Sequence, residues 1–175
     1  ARKANSPVIN LIGDHATYHK KYDAPLNSDV IGLAKPVSHW VRSVADAASL
    51  PADAADAVVA ANVKPGQVAT LIVPADCAWD ESVDPIAARE MPAAPGVNEL
   101  SITKASEMLG NGKPTVILMS NLALTEESLR LADQVAQHSN VRVFCDTFTS
   151  RLPRGEGRCS VLWREAHETC GGFAV

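Results

Sequence analysis

The chain has 175 residues, 46% of them hydrophobic, and 16 Lys and Arg against 20 Asp and Glu give a formal charge of −4. That length allows one domain or two small ones, and the apolar share is enough for a packed core, which excludes a disordered or fibrous chain. A charge this mild, with no concentrated basic face, argues against a general nucleic-acid binder.

Arg151, Arg154 and Arg158 cluster locally and read as a solvated loop rather than an anion site. No apolar run approaches the ~18 residues that span a bilayer, and no signal-peptide pattern opens the chain. The four cysteines, Cys77, Cys145, Cys159 and Cys170, form neither a disulfide framework nor a C-x-x-C zinc pair. Reduced thiols in a cytoplasmic protein are the expectation. The chain starts at Ala1, shortly before a core strand, which is expected of a piece of something longer or of a processed product.

Val8-Ile9-Asn10-Leu11-Ile12 reads as a buried strand, with Gly13 at its end letting the backbone turn. The segment GDHATYHKKYDAPL, Gly13 to Leu26, then crowds Asp14, His15, Tyr18, His19, Lys20, Lys21, Tyr22 and Asp23 into one loop. Ligands of open α/β sheets bind just outside the carboxyl ends of strands, where this loop would sit. Asn27-Ser28-Asp29 can cap a short helical turn from Val30 to Ala34, stopped by Pro36. Val37 to Val44 reads as a strand. Ser49 caps a helix with Pro51 at its start, and Pro65-Gly66 breaks it. Val68 to Val73 is a continuous apolar strand of the kind that parallel sheets bury on both faces.

Residues 76–96 read as an extended, acidic, proline-punctuated linker that holds the domain boundary. Beyond it Ile102, Ala105 and Leu109 share one helical face, and Gly110 and Gly112 end that helix. Thr115 to Met119 is a strand. Thr125 caps a helix with Glu126 and Glu127 in its first turn and an inner stripe of Leu129, Ala132, Val135 and Ala136. Val141 to Cys145 is a further strand, and strands alternating with helices imply parallel sheets.

The order and spacing of several segments resemble the acetolactate synthase-like family of thiamine-diphosphate-dependent enzymes. These are the strand before Gly13, the loop ending Tyr22-Asp23-Ala24, and the runs GQVATLIVPAD (Gly66 to Asp76), KPTVILMS (Lys113 to Ser120) and DTFTSRLPRGEG (Asp146 to Gly157). The resemblance implies an α/β fold of two partial three-layer units with mostly parallel sheets, joined by a Pro-rich acidic linker. Residues 1–79 are similar to the second half of a pyrimidine-binding domain, residues 80–96 to the linker, and residues 97–158 to the first part of a Rossmann-like central domain. Residues 159–175 form a tail that matches nothing in the family.

The departures are informative. Asp23-Ala24-Pro25-Leu26 stands where acetolactate synthases have Asp-Ala-Phe-Gln, which points to a related lyase or carboligase subgroup. Ser120-Asn121-Leu122-Ala123 replaces the glycine-rich turn that holds a flavin nucleotide in some relatives, so FAD is not supported. Thiamine diphosphate and magnesium are the cofactors the resemblance implies. The glutamate that activates the cofactor would lie upstream of residue 1, and the magnesium-diphosphate motif in a third domain. This chain alone is therefore expected neither to bind the cofactor tightly nor to catalyse.

Within the loop, His15, Tyr18 and His19 are the candidates for assisting proton transfers beside the cofactor's thiazolium ring. Gly13, Asp14 and Asp23 are the candidates on the cofactor side. His15 and His19 could share a metal if helical, but no third ligand is nominated, so no metal site is expected; a polar surface loop remains the alternative. Lys20-Lys21 reads as solvated or as a contact for a substrate carboxylate, and His39 as structural. Cys77 lacks a partner base, and Asp146 lacks the glycine fingerprint of a ribose site.

The reading is thus part of an enzyme that decarboxylates a small 2-oxo acid and then protonates or ligates the product. It would be a homo-oligomer or pair with a partner subunit, with neither nucleic acid nor membrane as a partner. The alternatives are a non-catalytic small-molecule or nucleotide-binding regulatory module using the loops around His15 or Asn121, and, last, a cysteine-dependent hydrolase.

Overall fold

The apolar run that begins at Val68 forms the centre of a sheet whose two other strands precede it in the chain. The computed structural model describes residues 1–94, 96–139, 141–156 and 162–163. The chain divides into two units, Ala1–Ala94 and Pro95–Val175.

In the first unit β1 (Val8–Asp14), β2 (Trp40–Ser43) and β3 (Val68–Pro74) lie in the order β1-β3-β2, all parallel. The crossovers carry α1 (Val30–Ala34) and α2 (Leu50–Asn62), and α3 (Ala75–Trp79) follows β3 directly. Six of the seven β3 residues are buried, as a central strand covered on both faces requires. Thr70, the one polar member of that run, is satisfied on both sides. Its hydroxyl accepts from Asn10 Nδ2 on β1 at 3.1 Å and pairs with the Ser38 hydroxyl at 2.6 Å. His39 is structural too: its Nδ1 accepts from the Val68 N–H at 3.3 Å.

Four expectations are corrected in this unit. β1 is an edge strand and not a buried one: Leu11 is 70% exposed, because among the described residues β1 has a neighbour on one side only. Gly13 makes no turn, since β1 continues in register through Asp14, paired with Pro74. The second strand is shorter than Val37 to Val44. Ser49 sits at the start of α2, but its hydroxyl bonds to no helix N–H; it closes a turn with Asp46, donating to that residue's carbonyl at 2.9 Å.

The face of α2 that meets the sheet is alanine, at Ala57, Ala60 and Ala61, so helix and sheet approach closely around Ala69, Leu71 and Trp40. Gly66 is required by its neighbours as well as by its left-handed φ of 115°. A Cβ there would lie 2.3 Å from the Asn5 carbonyl oxygen.

Residues 76–79, expected in the linker, form α3 instead, with Cys77 in the core beside Val44, Ala57 and Leu71. Residues 80–94 hold no helix or strand, yet they are tied to the first unit. The Ser82 hydroxyl donates to the Ala47 carbonyl at 2.6 Å, and Arg89 reaches Asp56 on α2 at 2.5 Å. Arg42 on β2 also pairs with Asp53 at 2.8 Å and Asp56 at 2.6 Å.

In the second unit β4 (Thr115–Met119), β5 (Val141–Cys145) and β6 (Leu162–Trp163) lie in that order, again parallel. Asn98 caps α4 (Glu99–Gly110), accepting from the N–H groups of Leu100 and Ser101 at 3.0 and 3.3 Å. Thr125 caps α5 (Glu126–His138), accepting from the Ser128 N–H at 3.1 Å. Leu129 and Ala132 bury against Met119, Leu124, Val143 and Cys145, with Ala136 packed alongside, as the helical period predicts. The face expected on α4 is not covered: Ile102 and Ala105 are exposed and Leu109 half-buried. Periodicity tells which residues share a face, not whether anything packs on it. Arg158, Cys159, Cys170 and the tail read at 159–175 lie outside the described residues, apart from the backbone of β6. No helix among the described residues is long and apolar enough to cross a membrane.

Candidate functional site

β1 and β3 end level, with Asp14 opposite Pro74, and both continue into polar segments at the carboxyl edge of the sheet. The chain leaving β1 is fastened twice. Asp14 accepts the His15 N–H at 2.7 Å and pairs with Lys20 Nζ at 2.7 Å. Asp76, in the first turn of α3, accepts the Thr17 N–H at 3.0 Å on one oxygen and the Thr17 hydroxyl on the other. These two bonds hold the Asp76 carboxyl below the usual carboxylate range. Ala16 is buried beneath the loop.

Between and beyond these ties the loop displays its rings. The His15 and His19 imidazoles meet edge to face with centroids 5.5 Å apart, and the Tyr22 ring lies 6.4 Å from that of His19. Lys21 Nζ sits 5.0 Å from the Tyr22 centroid. The two histidines flank Ala16, Thr17 and Tyr18 just after β1 and precede a single 3-10 turn, Lys20–Tyr22. Among the described residues no group of three His, Cys, Asp or Glu is placed to hold a metal ion.

An open cleft of about 520 Å³ lies against this loop. Gly13, Asp14, His15, Tyr18 and His19 line it, so five of the six residues singled out from the sequence come together there. Asp23 does not: it has a left-handed backbone, φ 47°, and its carboxylate accepts from Asn27 Nδ2 at 2.9 Å. The other wall comes from segments that sequence reasoning passed over, namely Leu26, Ser28 and Val30 before and on α1, and Ala75 and Trp79 on α3. Ala75 and Trp79 are one helical turn apart and so share a face. That spacing was the available signal, and reading residues 76–96 as linker concealed it.

Two other candidates resolve differently. Cys77 is buried, and burial pushes its thiol up, away from the thiolate that a nucleophile requires. Asn121 occupies the turn after β4 with a left-handed φ of 49°, a conformation that Asn tolerates better than most side chains.

Thiamine diphosphate, implied by the sequence, has a charged tail and a paired metal as well as its rings. The cleft does not fit the whole of it. Both Asp14 and Asp76 spend their oxygens on the loop itself, Lys20 is paired with Asp14, and no metal-holding cluster is present among the described residues. What the residues do offer is a cleft lined by two imidazoles, a phenol and an indole.

No protein-family model matches the chain. It is 40% identical over 157 residues to a Mycobacterium tuberculosis H37Rv protein provisionally named acetolactate synthase large subunit IlvX. The match covers 90% of this chain and 30% of that protein, so the chain spans less than a third of the curated relative. A Mycobacterium smegmatis structure, provisionally described as a thiamin diphosphate-dependent enzyme, superposes with a TM-score of 0.69 at 22% identity, over 86% of this chain and 29% of that one. The thiamine diphosphate-dependent 4-hydroxybenzoylformate decarboxylase of Rhodococcus jostii RHA1 gives 0.65 at 21% identity, over 86% and 30%. At those identities the two structures speak for the fold. Over the part of their length that it spans, the chain is thus similar in sequence to a provisionally named acetolactate synthase large subunit and shares its fold with two structures described as thiamine diphosphate-dependent enzymes.

Proposed function

We propose that this chain supplies one wall of an acetolactate synthase-like site, and that the other walls come from polypeptide outside it, in the same protein or in a partner copy. The observation that carries this reading is the pair of imidazoles, edge to face at the carboxyl end of β1, in a cleft that Trp79 also lines. In a completed site the reaction is decarboxylation of a 2-oxo acid followed by protonation or carboligation. His15 and His19 would take up and return protons at the reacting substrate. The Tyr18 hydroxyl would donate to a substrate oxygen, and Leu26, Val30 and Trp79 would shield the site from water.

The chain alone is inactive in this reading, because the cleft is open and the described residues offer no cradle for a diphosphate and its metal. Purified chain supplied with pyruvate, thiamine diphosphate and magnesium should release no carbon dioxide; sustained release would refute inactivity. In the same samples, millimolar pyruvate or thiamine diphosphate should shift the NMR signals of the His15 and His19 rings while leaving β4 and β5 unmoved. Rings indifferent to both ligands would refute the wall itself. Calorimetry with thiamine diphosphate, FAD and ADP separates the regulatory alternative, which requires low-micromolar binding without turnover.

A further inference from the structure

The function of the HATYH loop, His15 to His19, depends on where its rings stand relative to the sheet, and one short helix contacts loop, core and cleft at once. In α3 three neighbouring side chains diverge. Asp76 takes both hydrogen bonds of Thr17, Cys77 is buried among Val44, Ala57 and Leu71, and Trp79 lines the cleft. Asp14 also ties the loop, but to its own strand, through Lys20 and the adjacent His15 N–H. The tie through Asp76 is the one that crosses to another strand's end, 59 residues away in sequence.

We infer that Asp76 is a positioning residue: by gripping Thr17 it sets the His15 and His19 rings at a fixed distance from the Trp79 wall. Its partner is Thr17 of this same chain, and it touches neither ring. The inference deepens the wall reading above and rests on it for its functional meaning, but the grip can be tested apart from any ligand.

The experiment is NMR on the purified chain, comparing wild type with Asp76→Ala, Thr17→Val and Thr17→Ser. In Asp76→Ala both bonds go, and the Thr17 amide should exchange about tenfold faster or more. The His15 and His19 ring signals should move toward those of an unstructured peptide, while Leu71 and Ile72 amides on β3 keep their protection. Thr17→Val loses the hydroxyl bond alone and should move the same ring signals by less. Thr17→Ser restores the hydroxyl and should restore the wild-type spectrum, a rescue that a general loss of packing would not show.

If Asp76→Ala fails to fold, the comparison of Thr17→Val with Thr17→Ser decides. Ring signals that are identical in those two variants would overturn the inference, as would unchanged rings and Thr17 exchange in a folded Asp76→Ala. The two readings fail separately. Rings that respond to Asp76→Ala but not to pyruvate or cofactor would leave the grip standing and remove the wall.

Discussion

Asp76 spends both oxygens on one partner residue, and its acidity follows from that. Hydrogen bonds from the Thr17 hydroxyl and N–H favour the carboxylate, so the folded pKa lies below the value in the unfolded chain, ordinarily about 3.9. The sign follows: the folded form binds fewer protons, so the tie contributes fully above the unfolded pKa and is lost as pH falls through the lower, folded value. Acid titration of the Thr17 amide signal should therefore show its midpoint below the ordinary aspartate range, and Asp76→Asn should abolish that transition. The thiols run the other way. Burial raises both Cys77 and Cys145, so little thiolate forms at neutral pH. Brief treatment with a thiol reagent followed by peptide mass spectrometry should leave both unlabelled until the chain is unfolded. His15, Tyr18 and His19 were legible in the sequence because the loop's composition announces them. Leu26 and Trp79 were not, because only the tertiary path brings α3 and the end of the loop to the same cleft.

At the level of single elements, the strands show how far pattern reaches. The apolar run at Val68 identified the covered central strand, and β3 is buried as read. The run at Val8 has the same character but lies at an edge, and sequence alone carries no mark of which strand has two neighbours. The difference is measurable. Leu71→Ala, at a site with no exposure, should cost about 3 kcal/mol in urea unfolding, whereas Leu11→Ala should change stability by no more than about 0.5 kcal/mol. Arg42 links β2 to α2 through Asp53 and Asp56, which raise its pKa, Asp56 first. Being partly exposed, the pair of bridges is worth little more than surface ion pairs. Arg42→Ala should destabilise the first unit by about 1 kcal/mol, and less in high salt. Thr125, read as the cap of α5, caps it because a cap is a local contract between a side chain and the next turn. Ser49 was misread because Asp46 competed for its hydroxyl.

For the molecule as a whole, the apolar surface left open is the informative quantity. Leu11 on the edge of the first sheet, and Leu100, Ile102 and Leu118 in the second unit, are all exposed. Purified chain is expected to associate as its concentration rises, seen as an increasing weight-average sedimentation coefficient, and Leu11→Lys should reduce that association by charging the edge of β1. The parallel α/β architecture was legible from alternation alone. Which surfaces stay bare was not, since periodicity tells which residues share a face and not whether anything packs on it.

The order of strands in the first sheet has a temporal consequence. The strand that joins the other two is the last of the three to be synthesised. Until then β1 and β2 have no ladder to enter, and their apolar residues wait unpaired while a nascent chain is still tethered. The interval before Val68 emerges is therefore when chaperone protection would matter most.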